Sequence, residues 1–285
     1  MACQDQRGSR GDAVPELGRV PEGIDPSKPN AARVYNYLLG GRDNYEVDRA
    51  FAESMLAVAQ HSWIIARLGR LFLLHAVRLA AEAGVRQFID LGAGLPTSPN
   101  VHEVAQKVDP AARAVYIDYD PVVHAHANAY LDGVPGVAPM LADIRRPHDI
   151  IDRLRADALI DFTQPVAALL VGVLHHVMDD EHPAEIITRF RDAMAAGSYL
   201  VFTHPSTDIA PTDYRQLSHY TAGSSCQFVC RSRAEVTRWF DGFDVIGRGV
   251  IPIQHWLDNN TLVTHPTWLG GICRKPPDHG ARPTM

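Results

Sequence analysis

The segment 88–97 restricts the fold more than any other part of the sequence, because a short apolar stretch runs directly into a turn with two glycines. It reads Phe-Ile-Asp-Leu-Gly-Ala-Gly-Leu-Pro-Thr. An apolar stretch followed by glycines and then by a helical pattern predicts a buried strand, a tight turn and a helix. Gly92 and Gly94 lack a Cβ, so a ligand can approach the backbone closely there. We therefore expect a ligand site after the first strand of an α/β sheet.

The charge of Asp90, two residues before Gly92, separates two kinds of nucleotide-type site. A dinucleotide site places glycines and a helix N-terminus against a pyrophosphate, and the residue corresponding to Asp90 is normally apolar. A carboxylate would repel that phosphate, but it suits the ammonium of the methionine part of S-adenosylmethionine. The turn therefore favours S-adenosylmethionine, with S-adenosylhomocysteine as its product, over NAD.

From residue 87 onward, apolar stretches alternate with helical patterns, which predicts an α/β fold with a mostly parallel sheet covered by helices. The predicted strands are 87–91, 114–118, 137–141, 166–174, 198–203, 243–246 and 269–273. Ser98-Pro99 and Asp120-Pro121 each offer an N-cap followed by proline, so each predicts a helix start. A further helix is expected over 183–196, with Gly197 as its left-handed cap.

The chain divides into four regions. Residues 1–29 are rich in Gly, Pro and charge and predict a disordered tail, and 275–285 predict a second one. Residues 30–84 predict a helical extension, with two helices broken near His61. Residues 85–274 contain the alternating pattern and predict the main domain.

Composition excludes several partner classes. The net charge of −6 gives no basic surface for nucleic acid. No apolar stretch is long enough to span a membrane, and the start lacks the apolar core of a signal peptide, so we expect a cytoplasmic protein without a membrane partner. The fourteen histidines lack the spacing of a zinc site, so no metal is expected. The oligomeric state stays open, and a homodimer is one candidate.

Polar residues follow the other predicted strands at their carboxyl ends, which meet at one rim of a parallel sheet. Asp118 can accept hydrogen bonds from both ribose hydroxyls, and Asp143 can accept one from an adenine amine. Ile144 could pack on the base. His175 and His204 follow the fourth and fifth strands.

Each of these residues also has a purely structural interpretation. An aspartate at a strand end is often a helix cap or a turn former, which is our expectation for Asp120. A histidine after a buried strand is often a hydrogen-bonded structural residue, and we favour that for His176. The order of the acids along the chain, with one βα unit between each pair, is what favours a nucleoside cofactor.

These residues resemble the class I S-adenosylmethionine-dependent methyltransferases, with 90–94 as the first motif, Asp118 as the second and Ala142-Asp143 as the third. More narrowly, 32–45, 94–97, His102-Glu103 and 116–121 are similar to a bacterial S-adenosyl methyltransferase family first described as a domain of unknown function. The resemblance implies a Rossmann-like sheet of seven strands, mostly parallel with the last antiparallel. It also implies cofactor contacts by Asp90, Gly92, Ala93, Gly94, Asp118, Tyr119, Asp143, Ile144 and Leu174.

The extension has two interpretations. It could form a lid over the cofactor, with Arg42 pairing with the methionine carboxylate or the substrate and Tyr37 stacking or donating its hydroxyl. Alternatively, its aromatic side chains only anchor a helix on the sheet. The break at Gly40-Gly41 slightly favours a site.

Methyl transfer needs mainly alignment in a dry pocket, and a base only if the acceptor arrives protonated. His175 and His204 are the candidates for that base. The charge of the chain, together with the lack of an Asn-Pro-Pro-Tyr motif, favours a small-molecule acceptor over nucleic acid. The alternative functions are a non-catalytic module that binds S-adenosylmethionine or S-adenosylhomocysteine, and an NAD-dependent oxidoreductase, which Asp90 disfavours.

Overall fold

A computed structural model describes residues 25, 27–209, 211–257 and 268–277. The helices are α1 (Ala31–Leu38), α2 (Glu46–Val58), α3 (Ser62–Glu82), α4 (Val101–Val108), α5 (Pro121–Leu131), α6 (Pro147–Ala156), α7 (Pro183–Ala193), α8 (Pro211–Thr221) and α9 (Arg233–Arg238). The strands are β1 (Gln87–Leu91), β2 (Arg113–Asp118), β3 (Val137–Leu141), β4 (Ala167–Leu170), β5 (Tyr199–His204), β6 (Asp244–Val245), β7 (Ile251–Pro252) and β8 (Leu269–Arg274).

The strands form one mixed sheet in the order β3-β2-β1-β4-β5-β8-β6, and β7 pairs with β8. Neighbouring strands from β3 to β5 are parallel, whereas β8 is antiparallel to both β5 and β6. The predicted α/β sheet with an antiparallel last strand is confirmed. It has eight strands rather than seven, because the two-residue β7 is too short to produce an alternating pattern.

Both faces of the sheet are covered by buried apolar layers. Ile89 and Leu91 of β1 belong to the cluster that contains Phe190 of α7. Phe88 faces the other way and belongs to the cluster that contains Phe72 of α3. Because side chains alternate along a strand, Asp90 lies on the same face as Phe88, towards α3 and α4.

The two cap-plus-proline signals have different outcomes. The prediction at Asp120-Pro121 is confirmed, since Asp120 Oδ1 accepts a hydrogen bond from Val122 N at 2.7 Å and Pro121 opens α5. The prediction at Ser98-Pro99 is wrong, because Asn100 is the N-cap of α4. The carbonyls of Thr97 and Pro99 accept hydrogen bonds from a side chain of α3, and this tertiary contact holds the segment as a loop.

Two other boundaries differ from the sequence predictions. β4 ends at Leu170, four residues before the predicted end, and Leu174–His176 form a single 3-10 turn. α7 ends at Ala193, so Gly197 is not its cap. Gly197 has a φ of 83° in the turn before β5, where its N–H donates to Lys275 O at 2.9 Å.

The extension contains the predicted pair of helices with a break near His61, α2 and α3, and a shorter helix, α1. Asp48 joins α1 to α2 from a fully buried position. Its carboxylate accepts hydrogen bonds from Asn30 N at 2.9 Å, Arg33 Nε at 2.6 Å and Tyr45 N at 2.8 Å. These contacts satisfy the buried charges of both Asp48 and Arg33.

Gly40-Gly41 has a local structural role. Gly40 has a φ of 84°, and a Cβ on Gly41 would lie 2.4 Å from the Asn36 side chain. That close approach lets Asn36 Oδ1 accept hydrogen bonds from Asp43 N and from Asn44 Nδ2. The glycines therefore shape the turn between α1 and α2.

The predicted tails fall mainly outside the described residues, which begin at Asp25 and end at residue 277. Lys275 still pairs with the sheet, since its N–H donates to Ser198 O at 2.8 Å. Among the described helices, none is long and apolar enough to cross a membrane.

Candidate functional site

A cleft opens at the carboxyl ends of β1 and β2, beside the glycine turn. Its cavity volume is about 10 Å³, and about 370 Å³ of non-protein space lies within it when the open solvent at its mouth is counted. Four of the predicted cofactor residues, Asp90, Ala93, Gly94 and Asp118, are among those that line it. The sheet order brings these two strand ends together, as the sequence pattern predicts.

Asp118 connects β2 to the glycine turn. One carboxylate oxygen accepts a hydrogen bond from Gly94 N at 2.9 Å, and the other accepts one from Asp120 N at 3.0 Å. Burial raises the pKa of Asp118 to about 6, although these backbone hydrogen bonds act in the opposite direction. Each oxygen has a second lone pair for a ligand hydroxyl.

Asp90 is buried beneath the turn with 4% of its surface exposed. Within the described part of the chain, no hydrogen-bond donor reaches its carboxylate. Burial raises its pKa to about 6, an effect that the Arg70 guanidinium opposes and the Asp118 carboxylate reinforces. A buried, unpaired carboxylate of this kind favours a cationic ligand group.

Arg70 of α3 lines the same cleft, and the sequence analysis did not identify it. Its Nη2 donates hydrogen bonds to Thr97 O and to Pro99 O, the latter at 2.7 Å. Its Nε is buried and has no partner among the described residues. One sequence pattern could have identified Arg70: it lies at helical spacing from two apolar residues, Ala66 and Leu73. Both of these neighbours are buried in the structure. An unsatisfied buried guanidinium N–H favours an anionic ligand group.

The two glycines of the turn have different environments. Gly92 has a φ of 72°, and a Cβ there would lie 2.4 Å from Val173 Cγ2. Gly94 has a φ of 64°, and a Cβ there would meet nothing within 4 Å. Gly94 therefore leaves room at the cleft, whereas Gly92 lets the turn pack against the segment after β4.

The predicted adenine contacts lie around the loop after β3. Asp143 is half-buried and accepts hydrogen bonds from the Arg145 guanidinium on both oxygens, between 2.7 and 3.0 Å. Burial acts to raise the pKa of Asp143, but the Arg145 hydrogen bonds outweigh it and hold the pKa below its usual value. Tyr119 is 51% exposed, and the Arg145 guanidinium lies 5.8 Å from the centre of its ring. Ile144 and Leu174 are buried in the apolar cluster that covers the α7 side of the sheet.

His204 has a geometry that favours a structural role over that of a base. Its Nδ1 lies 2.7 Å from Pro205 O, and its Nε2 lies 3.0 Å from Arg231 Nη1. Because a guanidinium only donates, Nε2 accepts and Nδ1 carries the proton. Burial lowers the pKa of His204 to about 3. The lone pair that a base would use is thus engaged by Arg231.

His175 lies in the 3-10 turn after β4, packed against the rings of Phe228 and Trp268. Burial holds its pKa well below the ordinary value of histidine. His176 next to it has its Nδ1 2.7 Å from Gln227 O, in agreement with a structural role.

The two predicted lid residues lie apart from the cleft lining. The Tyr37 hydroxyl donates to the Glu53 carboxylate of α2, and its ring packs in a small cluster between α1 and α2. Arg42 is exposed in the loop after α1. Arg70, rather than Arg42, is the arginine that lines the cleft. Within the described ranges, no group of three or more His, Cys, Asp or Glu side chains could hold a metal ion.

Comparisons with known proteins show the family and the fold of this chain. The profile of a family described as S-adenosyl methyltransferase matches residues 18–276. A Thermobifida fusca protein assigned as a candidate methyltransferase is 39% identical in its crystal structure, with 90% of this chain and 98% of that chain covered and a TM-score of 0.84. A DUF574-family protein from Streptomyces avermitilis is 31% identical over 88% of this chain and 99% of that chain, with a TM-score of 0.83. No curated protein matches the sequence.

Proposed function

We propose that this chain, which belongs to the S-adenosyl methyltransferase family, transfers the methyl group of S-adenosylmethionine to a small-molecule acceptor. The observation that carries the proposal is a pair of opposite charges that line the cleft beside the glycine turn, the Asp90 carboxylate and the Arg70 guanidinium, whose buried Nε has no partner among the described residues. The methionine part of the cofactor is a zwitterion, and its ammonium and carboxylate match these two side chains in charge.

The residues of the cleft fit the cofactor. The buried Nε of Arg70 lacks a partner within the described chain, and a carboxylate would supply one. The open space in front of Gly94 lets a ligand approach the backbone. Asp118 would accept hydrogen bonds from the ribose hydroxyls, next to the exposed ring of Tyr119.

The loop after β3 is the part of the site that we propose for adenine. Arg145 holds this loop, because its guanidinium bonds Asp143 and also donates a hydrogen bond to the Glu181 carboxylate at 2.7 Å. Asp143 would accept from the adenine amine, so one of its hydrogen bonds with Arg145 would be exchanged for the ligand. Arg145 and Tyr119 would then border the base on the solvent side. Ile144 and Leu174 support this loop from the apolar core.

When bound, S-adenosylmethionine supplies a methyl group that the acceptor's lone pair attacks as the carbon–sulfur bond breaks and its electrons stay on sulfur. The chain's own contribution is alignment and exclusion of water. The apolar cluster that includes Tyr214 of α8, Phe228 and Trp268 would supply dry surroundings for this step. A net charge of −6 supports a small acceptor rather than a polyanion.

Calorimetric titration of S-adenosylmethionine and S-adenosylhomocysteine tests the proposal, with NADH as the competing ligand. We expect both adenosyl ligands to bind, NADH not to bind, and Asp118→Asn to weaken binding at least tenfold. Asp132→Asn, an exposed acid at the other end of α5, is the matched control.

Methyl transfer itself is measured with methyl-labelled cofactor and a pool of small metabolites, followed by mass spectrometry. Labelled products that disappear in Asp118→Asn would support the enzyme. If folded wild-type protein does not bind either adenosyl ligand, the proposal is wrong. Binding without any transfer would favour the non-catalytic module instead.

A further inference from the structure

The sheet order leaves one place for the methyl acceptor, provided that the proposed cofactor site is correct. Asp118 and Asp143 follow β2 and β3, so the nucleoside would lie on that side of β1. The methionine part would lie at Asp90, on β1 itself. The acceptor must then approach from the opposite side, where β4 and β5 end.

The segment after β4 reaches the glycine turn directly. Val173 packs so closely against Gly92 that a Cβ on the glycine would lie 2.4 Å from its side chain. His175 follows two residues later. The segment that carries His175 therefore also packs against the turn that would hold the methionine part.

His175 has an unsatisfied polar atom in apolar surroundings. Its residue surface is 4% exposed, and its Nδ1 is buried without a hydrogen-bond partner among the described residues. Three rings surround the imidazole, with centroid distances of 4.0 Å to His176, 5.1 Å to Phe228 and 4.4 Å to Trp268. Native proteins rarely leave a buried polar atom unpaired, so this nitrogen calls for a partner from outside the chain, which a bound ligand would supply.

The cover over these rings is apolar and comes from outside the sheet. α2 and α8 contact each other, and the apolar cluster at these helices reaches Trp268, next to Leu269, which pairs with His204 at the end of β5. The cluster consists of Ala59, Tyr214, Leu217 and Phe228, with Met55, Cys230 and Trp268 packed against it.

The nearest cation is already neutralised. Arg231 donates to Asp179 Oδ1 from Nε and Nη2, at 2.9 and 2.7 Å, and its Nη1 is held by His204. Burial lowers the pKa of both His175 and His176, so both rings are neutral at neutral pH. A charged acceptor would lose its hydration here without gaining a counter-ion.

We propose that the aromatic cluster formed by His175, His176, Phe228 and Trp268 opens to bind the methyl acceptor, and that this acceptor is a neutral, flat molecule with one hydroxyl or amino group. The ring of the acceptor stacks among the aromatic side chains, and its polar group hydrogen-bonds His175 Nδ1. Trp268 is half-buried, and its ring shifts to admit the acceptor. A neutral hydroxyl or amine satisfies Nδ1 in either tautomer of the imidazole.

Four naphthalene probes test this proposal, because they share one ring system and differ in polar group. The probes are 1-naphthol, naphthalene, 1-naphthoate and 1-naphthylmethylammonium, each titrated into the full chain saturated with S-adenosylhomocysteine. We expect saturable binding of 1-naphthol, and at least tenfold weaker binding of the two charged probes.

His175→Phe keeps a ring and removes the nitrogen. It should weaken 1-naphthol about tenfold and leave naphthalene within twofold, because only the hydroxyl loses a partner. Tyr220→Phe, an exposed ring on α8, is the control and should change neither. Equal losses for 1-naphthol and naphthalene would mean that His175 only supports packing, and would overturn the assignment.

The same samples separate this inference from the proposed function. S-adenosylhomocysteine binding is measured first on wild type and His175→Phe, and it should be equal. If the cofactor binds but 1-naphthol does not, or if a charged probe binds more tightly, the acceptor class is wrong while the methyltransferase assignment stands. If the cofactor does not bind, the proposed function has failed.

Discussion

Arg70 and Asp90 illustrate how two residues far apart in sequence form one recognition unit. Asp90 is positioned by β1. Arg70 is the ninth residue of α3, whose Leu68 and Phe72 pack on the same face of the sheet. The Arg70 Nε is buried without a partner among the described residues, and the Asp90 carboxylate is buried beside it in the lining of the same cleft. Because one side chain is an anion and the other a cation, the pair suits an amino-acid zwitterion better than a simple anion or cation.

Arg70→Met therefore has a ligand-specific consequence. We expect S-adenosylhomocysteine to bind roughly 10- to 100-fold more weakly, because a charge-assisted hydrogen bond to its carboxylate is lost. Methylthioadenosine, which has no amino-acid part, should lose less than threefold. Calorimetry on both ligands, with the exposed Arg67→Met as control, makes the measurement. Equal losses for the two ligands would show that Arg70 acts only by holding the Thr97 and Pro99 carbonyls.

The two acids predict a pH dependence of binding. Asp90 and Asp118 have pKa values raised to about 6 by burial, against an ordinary value of 3.8. A cationic ligand requires the ionised form of Asp90, so affinity should fall about tenfold for each pH unit below the pKa of 6. The increase in Tm produced by S-adenosylhomocysteine should shrink from pH 7.5 to pH 5. Asp90→Asn should bind weakly and lose most of this pH dependence.

Without ligand, the same groups act on stability with the opposite sign. Because their folded pKa values exceed the unfolded value, the folded chain binds more protons between pH 3.8 and 6. Their contribution to the free energy of unfolding is complete below that range and is lost as pH rises through about 6. Thermal scans with and without ligand at each pH separate the two effects. An undiminished ligand-induced shift at pH 5 would contradict the assignment of Asp90 to the ammonium.

At the scale of the element, the glycine turn separates packing from binding. Gly92 and Gly94 both have left-handed backbone, so alanine at either position costs about 1–2 kcal/mol. Gly92→Ala adds a clash with Val173 and should lower stability further, by about 1–3 kcal/mol. Gly94→Ala has no such clash, but its methyl group enters the cleft and should weaken cofactor binding. Urea unfolding measures the stability of both variants, and calorimetry measures their cofactor affinity. Equal stability losses together with equal affinity losses in the two variants would contradict this prediction.

The element scale also explains what the sequence could predict. β1 has the predicted ends, because every residue of the strand is buried. β3 also has the predicted ends, because glycine marks the turn before it. The start of α5 was predictable because Asp120 caps its own helix. The same local signal at Ser98-Pro99 failed because Arg70, from another element, fixes that loop. Arg70 was missed as a site residue for the same reason, since only tertiary packing brings α3 beside β1.

At the scale of the whole molecule, the extension and the sheet share one core. The sequence predicts a boundary near residue 84, where the helical pattern gives way to strands. However, Phe72, Ala76, Val77 and Ala80 of α3 are completely buried in the cluster that contains Phe88 of β1. The extension therefore provides one face of the core, and it contributes Arg70 to the cleft.

This shared core predicts a single unfolding transition in calorimetry, with the calorimetric and van't Hoff enthalpies equal. Phe72→Ala should lower the whole transition by roughly 5–10 °C, because removing a fully buried phenylalanine costs about 3–5 kcal/mol. Leu71→Ala, at the neighbouring position with 47% exposure, should leave the transition nearly unchanged. Two transitions, of which Phe72→Ala moves only one, would mean that the extension folds separately. Since α3 supplies Arg70, separate folding would also require the cofactor to join the two parts, and S-adenosylhomocysteine would then merge the transitions.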